Sequence, residues 1–160
     1  MSKSIVHLLK PLTQRLIALG TLVLRPMTVG VRAAVFDAEG RVFLVRHTYL
    51  PGWYLPGGGV DPGESAQVSV IRELHEEGNI EVAGTPQLFG LYLNRKLSRR
   101  NHVALYVIRE WSYSSEPVRP SREIAEAGFF ALTDLPEELT AATRRRLDEI
   151  AVGMQQSDIW

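Results

Sequence analysis

Residues 58–80 read GGVDPGESAQVSVIRELHEEGNI. From Ser65 to Gly78 nothing interrupts a helix, with Ser65 placed to cap its start and Gly78-Asn79 to stop it. At about 100° per residue, Glu73, Glu76 and Glu77 fall within an arc of roughly 100°, while Ala66, Val70, Ile71 and Leu74 occupy the adjacent one. One face is core and the next is a carboxylate cluster. Like charges three and four residues apart destabilise a helix, and these also crowd toward the end where the macrodipole disfavours anions. Arg72 can neutralise one carboxylate and has Glu64 as a further partner, which leaves two or more acids unpaired. A hard divalent cation is the natural counter-charge, because Mg²⁺ takes one or two carboxylates and completes its shell with water and phosphate oxygens.

A solvated acidic face is the favoured reading of an isolated Glu-x-x-Glu-Glu. The residues before the helix overturn it. Residues 50–64 hold five Gly and three Pro around Trp53-Tyr54-Leu55, which excludes helix and marks an ordered functional loop rather than a linker. Gly58, then Glu64 after five intervening residues, and Arg72-Glu73-Leu74-x-Glu76-Glu77 after seven more, resemble the box of the Nudix hydrolase family, preceded here by Pro56-Gly57. Asn79 stands where that pattern has its last Gly. That position ends a helix in a left-handed conformation, for which Asn is the next-best residue, so fold and chemistry are expected to survive.

The resemblance implies an α/β (α+β) fold, a Nudix-like α/β/α sandwich with a mixed β-sheet and a catalytic loop-helix motif. It also implies hydrolysis of the diphosphate linkage of a nucleoside diphosphate joined to another group, using Mg²⁺ or Mn²⁺. Glu73, Glu76 and Glu77 match its metal-binding carboxylates, and the Gly57 carbonyl matches a further ligand. Glu64 and Arg72 match the pair that orients helix against loop, with Gly58 supporting the close approach. The general base is either Glu73 or an acid outside the box, with Glu123 and Glu126 as candidates; Glu123 is preferred by analogy with relatives. A non-catalytic Nudix-fold module that binds a nucleotide or regulates a partner is the alternative, but such modules usually lose acids that this box retains.

Working outward, Thr28 to Phe36 and Arg41 to His47 are β-branched and apolar around Asp37-Ala38-Glu39-Gly40, which predicts a hairpin. Ile80 to Val82, Gln87 to Leu93, His102 to Ile108 and Gly128 to Leu132 read as strands, Ser112 to Arg122 as a polar loop, and Thr140 to Val152 as a closing helix. Arg144, Arg145 and Arg146 are expected on its solvent face. Trp53 and Tyr54 are expected in the core rather than stacked on a base. Residues 1–25 carry apolar positions at helical spacing, broken by Pro11, and predict a helical extension ahead of one domain over 26–160. No run approaches the roughly 18 apolar residues of a membrane span, and no targeting signal is evident, so a cytoplasmic protein is expected. The hydrophobic N-terminal segment is compatible with a homodimer.

The 160 residues balance 18 Lys and Arg against 18 Asp and Glu, with no Cys. Thiolate nucleophiles, zinc ribbons and disulfide scaffolds are excluded. The neutral total argues against a nucleic-acid coat or polybasic membrane binder. It conceals opposed regions: six acids and one base between Asp61 and Glu81, and four bases in Arg95, Lys96, Arg99 and Arg100. That basic run, with Arg46, reads either as solvated surface or as a lip for substrate phosphate. Neither a Gly-x₄-Gly-Lys-Ser/Thr loop nor a dinucleotide fingerprint occurs. ADP-ribose, dinucleoside polyphosphates, nucleotide sugars, oxidised nucleoside triphosphates and a capped RNA end all remain eligible substrates.

Overall fold

The computed structural model describes residues 26–114 and 122–160. The extension expected over 1–25 lies outside them, as do residues 115–121 of the expected polar loop. Among the described residues the order is β1 (Thr28–Val35), β2 (Val42–His47), β3 (Trp53–Tyr54), α1 (Ala66–Gly78), β4 (Ile80–Val82), β5 (Gln87–Leu93), β6 (Asn101–Ile108), β7 (Trp111–Tyr113), β8 (Ile124–Phe130) and α2 (Ala141–Val152).

β1 and β2 are apolar on both faces because both faces are covered. Val31, Ala33 and Val35 of β1, with Phe43 and Val45 of β2, share a core with Val70 and Leu74 of α1. The intervening Ala34, Val42 and Leu44 share a second core with Leu147 of α2. Successive strand side chains point to opposite faces, so a strand that is apolar at every position needs a layer on each side. The α/β/α sandwich follows from that. Its strands are mixed: β6 pairs in parallel with β1 and antiparallel with β5, while β2 lies antiparallel between β3 and β8, and β4 pairs with β7.

The expected hairpin forms only at its turn. The Asp37 carboxylate accepts from the backbone N–H groups of Glu39 and Arg41, and one bridge joins Phe36 to Val42. Beyond it β1 and β2 part into different sheets, since β6 offers β1 an unbroken register from Thr28 opposite Asn101 to Val35 opposite Ile108. The remaining differences are also pairings that local pattern does not encode. β3 forms inside the glycine-rich stretch by pairing Tyr54 and Trp53 with Val45 and Arg46. β7 occupies the start of the expected polar loop, pairing with β4 while Trp111 stacks on Phe129 with ring centroids 5.1 Å apart. β8 begins at Ile124, four residues before the predicted strand.

Arg146 departs most sharply from expectation. Arg144 and Arg145 are exposed, but Arg146 is fully buried. Its guanidinium lies 4.2 Å from the Tyr92 ring centroid and 5.6 Å from that of Trp160. It donates to Glu149 at 2.7 Å and to the Ile159 carbonyl at 2.8 Å. A buried guanidinium is tolerated when its charge is paired, and a partner three residues along the helix supplies the pair, while the two ring faces cover the rest. This network ties residues 157–160 to β5, where Trp160 N–H donates to the Leu93 carbonyl at 3.1 Å and Leu93 N–H to the Asp158 carbonyl at 2.8 Å.

The ends of α1 match the sequence. Ser65 Oγ accepts from the Val68 N–H at 3.2 Å, and Asn79 is left-handed at φ 50°, ψ 33°, with its N–H on the His75 carbonyl at 3.0 Å. Asn79→Ala is expected to lower unfolding free energy by about 1 kcal/mol or slightly more, while Asn79→Gly leaves it within about 0.5 kcal/mol. Urea denaturation of the two variants beside the parent chain measures the difference.

Candidate active site

The free edge of β1 carries the glycine loop. Val31 N–H donates to the Gly58 carbonyl, Ala33 N–H to the Pro56 carbonyl, and Val60 N–H to the Val29 carbonyl, each at 2.9 Å. Residues 56–60 thus run along β1 as a short antiparallel partner, in the place the expected hairpin assigned to β2. Gly57 has φ 134°, and a Cβ there would collide with the Val31 carbonyl oxygen. At Gly58 a Cβ would stand 2.5 Å from Glu73 Oε1. Both glycines therefore admit a contact that any side chain would block.

α1 meets the loop through three side chains. Glu77, only 8% exposed, accepts the Gly57 N–H on Oε2 at 2.7 Å. Ser69, fully buried, donates to the Gly59 carbonyl at 3.0 Å. Arg72 spans Glu64 with Nε and Nη2 at 3.0 and 3.2 Å, and its Nη1 reaches Glu73 at 2.8 Å and Glu76 at 3.1 Å. The sequence leaves two or more acids unpaired; the structure has one guanidinium serving three carboxylates and a backbone N–H serving the fourth. Glu64 is held below the ordinary carboxylate range by that bond to Arg72. Burial acts the other way on Glu73, raising it against the pull of Arg72. It pushes Glu77 up to about 7, although the Gly57 N–H and Arg32 favour its charged form.

Glu73, Glu76 and Glu77 line one cavity of about 250 Å³ together with Arg122, Glu123 and Ile124. Of the two acids outside the box, the structure brings Glu123 to the cluster. Glu126 lies on β8 opposite Arg46 and forms an ion pair with it. Arg46 also approaches Glu138 at 3.9 Å and the Trp53 ring at 5.9 Å, and it lines neither this cavity nor the larger one described next. Among the described residues no three His, Asp or Glu side chains converge ready-made on one cation position. The donors are nonetheless all hard oxygens crowded at one cavity, two of them raised in pKa by burial, as suits a divalent cation.

On the other side of the glycine loop lies a cavity of about 1080 Å³, whose walls include Val29, Gly58, Gly59, Leu97, Thr140 and Trp160. Lys96 from the basic run lines it, whereas Arg95, Arg99 and Arg100 are exposed on the same loop between β5 and β6 and line neither cavity. Two polar side chains here carry no local signature. Arg32, the one charged residue of β1, lines the large cavity and donates through Nη1 to the carbonyls of Leu55, at 3.0 Å, and Gly57. Buried His47 at the end of β2 places Nε2 3.8 Å from Glu77, and burial lowers its pKa.

The sequence profile of the NUDIX domain matches residues 26–150. The chain belongs to the NUDIX family. A MutT NUDIX hydrolase from Burkholderia pseudomallei is 32% identical and superimposes with a TM-score of 0.65 over 77% of this chain and 97% of its own. A putative 8-oxo-dGTP diphosphatase from Bacillus subtilis is 26% identical over 132 residues, 82% of this chain and 85% of that protein. An RNA pyrophosphohydrolase from Gluconobacter oxydans is 48% identical over 58 residues, so the chain matches only 34% of that relative's length. α1 is thus the Nudix helix, and the loop on β1 is its Nudix loop.

The Nudix helix makes the metal-free protein sensitive to pH in a defined direction. Between the ordinary value of 4.5 and about 7, folded Glu77 holds a proton that the unfolded chain has lost. Its contribution to stability therefore falls as pH rises through that window, by about 3 kcal/mol at most. Thermal denaturation in chelator is expected to show a melting temperature that declines from pH 5 to pH 8. Glu77→Gln, which keeps an acceptor for Gly57, flattens that decline and is the more stable protein at pH 8.

Proposed function

We propose that this chain is a divalent-cation-dependent pyrophosphohydrolase that cleaves the diphosphate linkage of a nucleoside diphosphate derivative. The observation that carries this reading is the gathering of Glu73, Glu76, Glu77 and Glu123 around one cavity, backed by a glycine loop that touches two of them. Glu73, Glu76 and Glu77 would hold Mg²⁺ or Mn²⁺, with the Gly57 carbonyl as a further oxygen donor. When bound, the cation neutralises phosphate charge and acidifies water. Glu123, at the mouth of the same cavity, takes the proton of the attacking water on its carboxylate. Glu64 keeps Arg72 anchored, so that Arg72 can release Glu73 and Glu76 without leaving the site. The large cavity beyond Gly58 accommodates the nucleoside or its substituent, since it is roomy and its lining is mostly apolar with several polar groups to orient a ligand.

The relatives support the reaction class more than any one substrate: their names specify an oxidised nucleoside triphosphate in one case and RNA ends in another. Both have the same chemical core, a phosphoric anhydride attached to a nucleoside.

Hydrolysis of a panel containing ADP-ribose, dinucleoside polyphosphates, nucleotide sugars, oxidised nucleoside triphosphates and capped RNA is expected to yield two phosphorylated products from at least one member. Glu123→Gln is expected to lower kcat on the order of 10²- to 10⁴-fold with cation affinity intact. Glu64→Gln is expected to weaken cation affinity or activity roughly 10- to 100-fold. Cation binding without turnover anywhere on the panel would instead identify a non-catalytic binding module.

A further inference from the structure

Arg32 lies where the large cavity meets the carboxylate cluster, and it belongs to no part of the Nudix box. It lines the cavity, while Glu77 and Glu73 are the carboxylates whose charges act on it most strongly. Nη1 is spent on the Leu55 and Gly57 carbonyls. Among the described residues no carboxylate forms an ion pair with it, and Nε and Nη2 have no protein partner. A guanidinium removed from bulk water without an ion pair is costly, and here two carbonyls and the distant field of Glu73 and Glu77 offset that cost.

Loading the Nudix helix with a divalent cation would cancel that field and set a like charge beside Arg32. The guanidinium then needs an anion, and Arg32 lines the cavity in which one can lie. We propose that Arg32 grips the diphosphate of the substrate through Nε and Nη2, making it a substrate-binding residue outside the box. This rests on the reading of the chain as a diphosphate hydrolase. The planar fork suits the task, because Nη1 fixes the guanidinium to the loop and leaves an edge able to meet two phosphate oxygens. A role confined to bracing the loop would use Nη1 alone. The same arrangement couples the two ligands: Arg32 opposes the cation while the site is empty of phosphate and favours the phosphate once the cation is in place.

Calorimetric titration of the full chain with imidodiphosphate, which carries the diphosphate and nothing else, tests this without turnover. In Mg²⁺, Arg32→Gln is expected to weaken imidodiphosphate binding on the order of 10- to 100-fold. Mg²⁺ titrated alone is expected to bind Arg32→Gln as tightly as the parent chain or more tightly. Arg32→Lys, which keeps the charge and loses the fork, is expected to fall between parent and Arg32→Gln for imidodiphosphate. The same change at Arg41, on the turn between β1 and β2, leaves both affinities unchanged. Unaltered imidodiphosphate binding by Arg32→Gln, no imidodiphosphate binding by the parent chain, or a parallel loss of Mg²⁺ affinity that points to a bracing role would each overturn the proposal. If Arg32→Gln does not fold, Arg32→Lys decides: a severalfold loss of imidodiphosphate affinity with Mg²⁺ affinity kept supports the grip, and parental affinity overturns it. A chain that binds imidodiphosphate through Arg32 yet hydrolyses no nucleotide would refute the proposed hydrolase while leaving this contact standing.

Discussion

Three backbone hydrogen bonds between β1 and residues 56–60 are what the rest of the site depends on. They fix the glycine loop to a strand whose opposite edge is paired along its whole length with β6, so the loop inherits the rigidity of the sheet. With the loop in place, Gly57 can present its N–H to Glu77 and its carbonyl to Arg32, and Gly58 can press against Glu73. A side chain at Gly57 would push the loop off the strand, and one at Gly58 would displace the Glu73 carboxylate. The parting of β1 from β2 has a functional reason in this light, because a full hairpin would have occupied the edge that the loop needs.

Charge is the second constraint. The Nudix helix collects carboxylates where its dipole disfavours them, and the metal-free protein answers with every donor within reach: Arg72 for Glu64, Glu73 and Glu76, and a backbone N–H for Glu77. These partners differ in what they can give up. Glu76 is exposed and shares Arg72 with two other acids, so its release costs little; Glu77 is buried and ionises reluctantly. A site arranged this way holds its charge in check through one guanidinium and one backbone N–H. Arg146 shows a different solution in the same molecule, a cation buried for packing and matched by an acid one helical turn away.

Much of this was legible in the sequence because it is local. The helix from Ser65 to Gly78, its Ser65 cap, the left-handed Asn79 and the shared face of Glu73, Glu76 and Glu77 all follow from residues within one or two turns of one another. The three-layer architecture was legible too, through the resemblance carried by the box. What escaped was non-local. Arg32, Ser69 and His47 belong to no local pattern, and nothing within a few positions says that a carbonyl or carboxylate from elsewhere in the chain will meet them. Arg146 sits between exposed neighbours in a run of three arginines, and only the return of Trp160 and Ile159 past Tyr92 gives it a reason to be inside. β3 and β7 are short because they exist only by pairing.

The sequence by itself determined the chemistry on offer: hard oxygen ligands on one helix face, a glycine loop to approach them, and no thiol chemistry at all. These are matters of residue type and of spacing along one helix, where geometry is set by 3.6 residues per turn. The tertiary structure decided which partners complete that chemistry. It brought Glu123 rather than Glu126 to the carboxylates, turned Arg46 to an ion pair and Arg32 to the cavity, and exchanged a hairpin for a loop laid on a strand edge. The physical reason is the same in each case: a hydrogen bond or ion pair between distant segments depends on how the sheets twist and stack, and no local period encodes it.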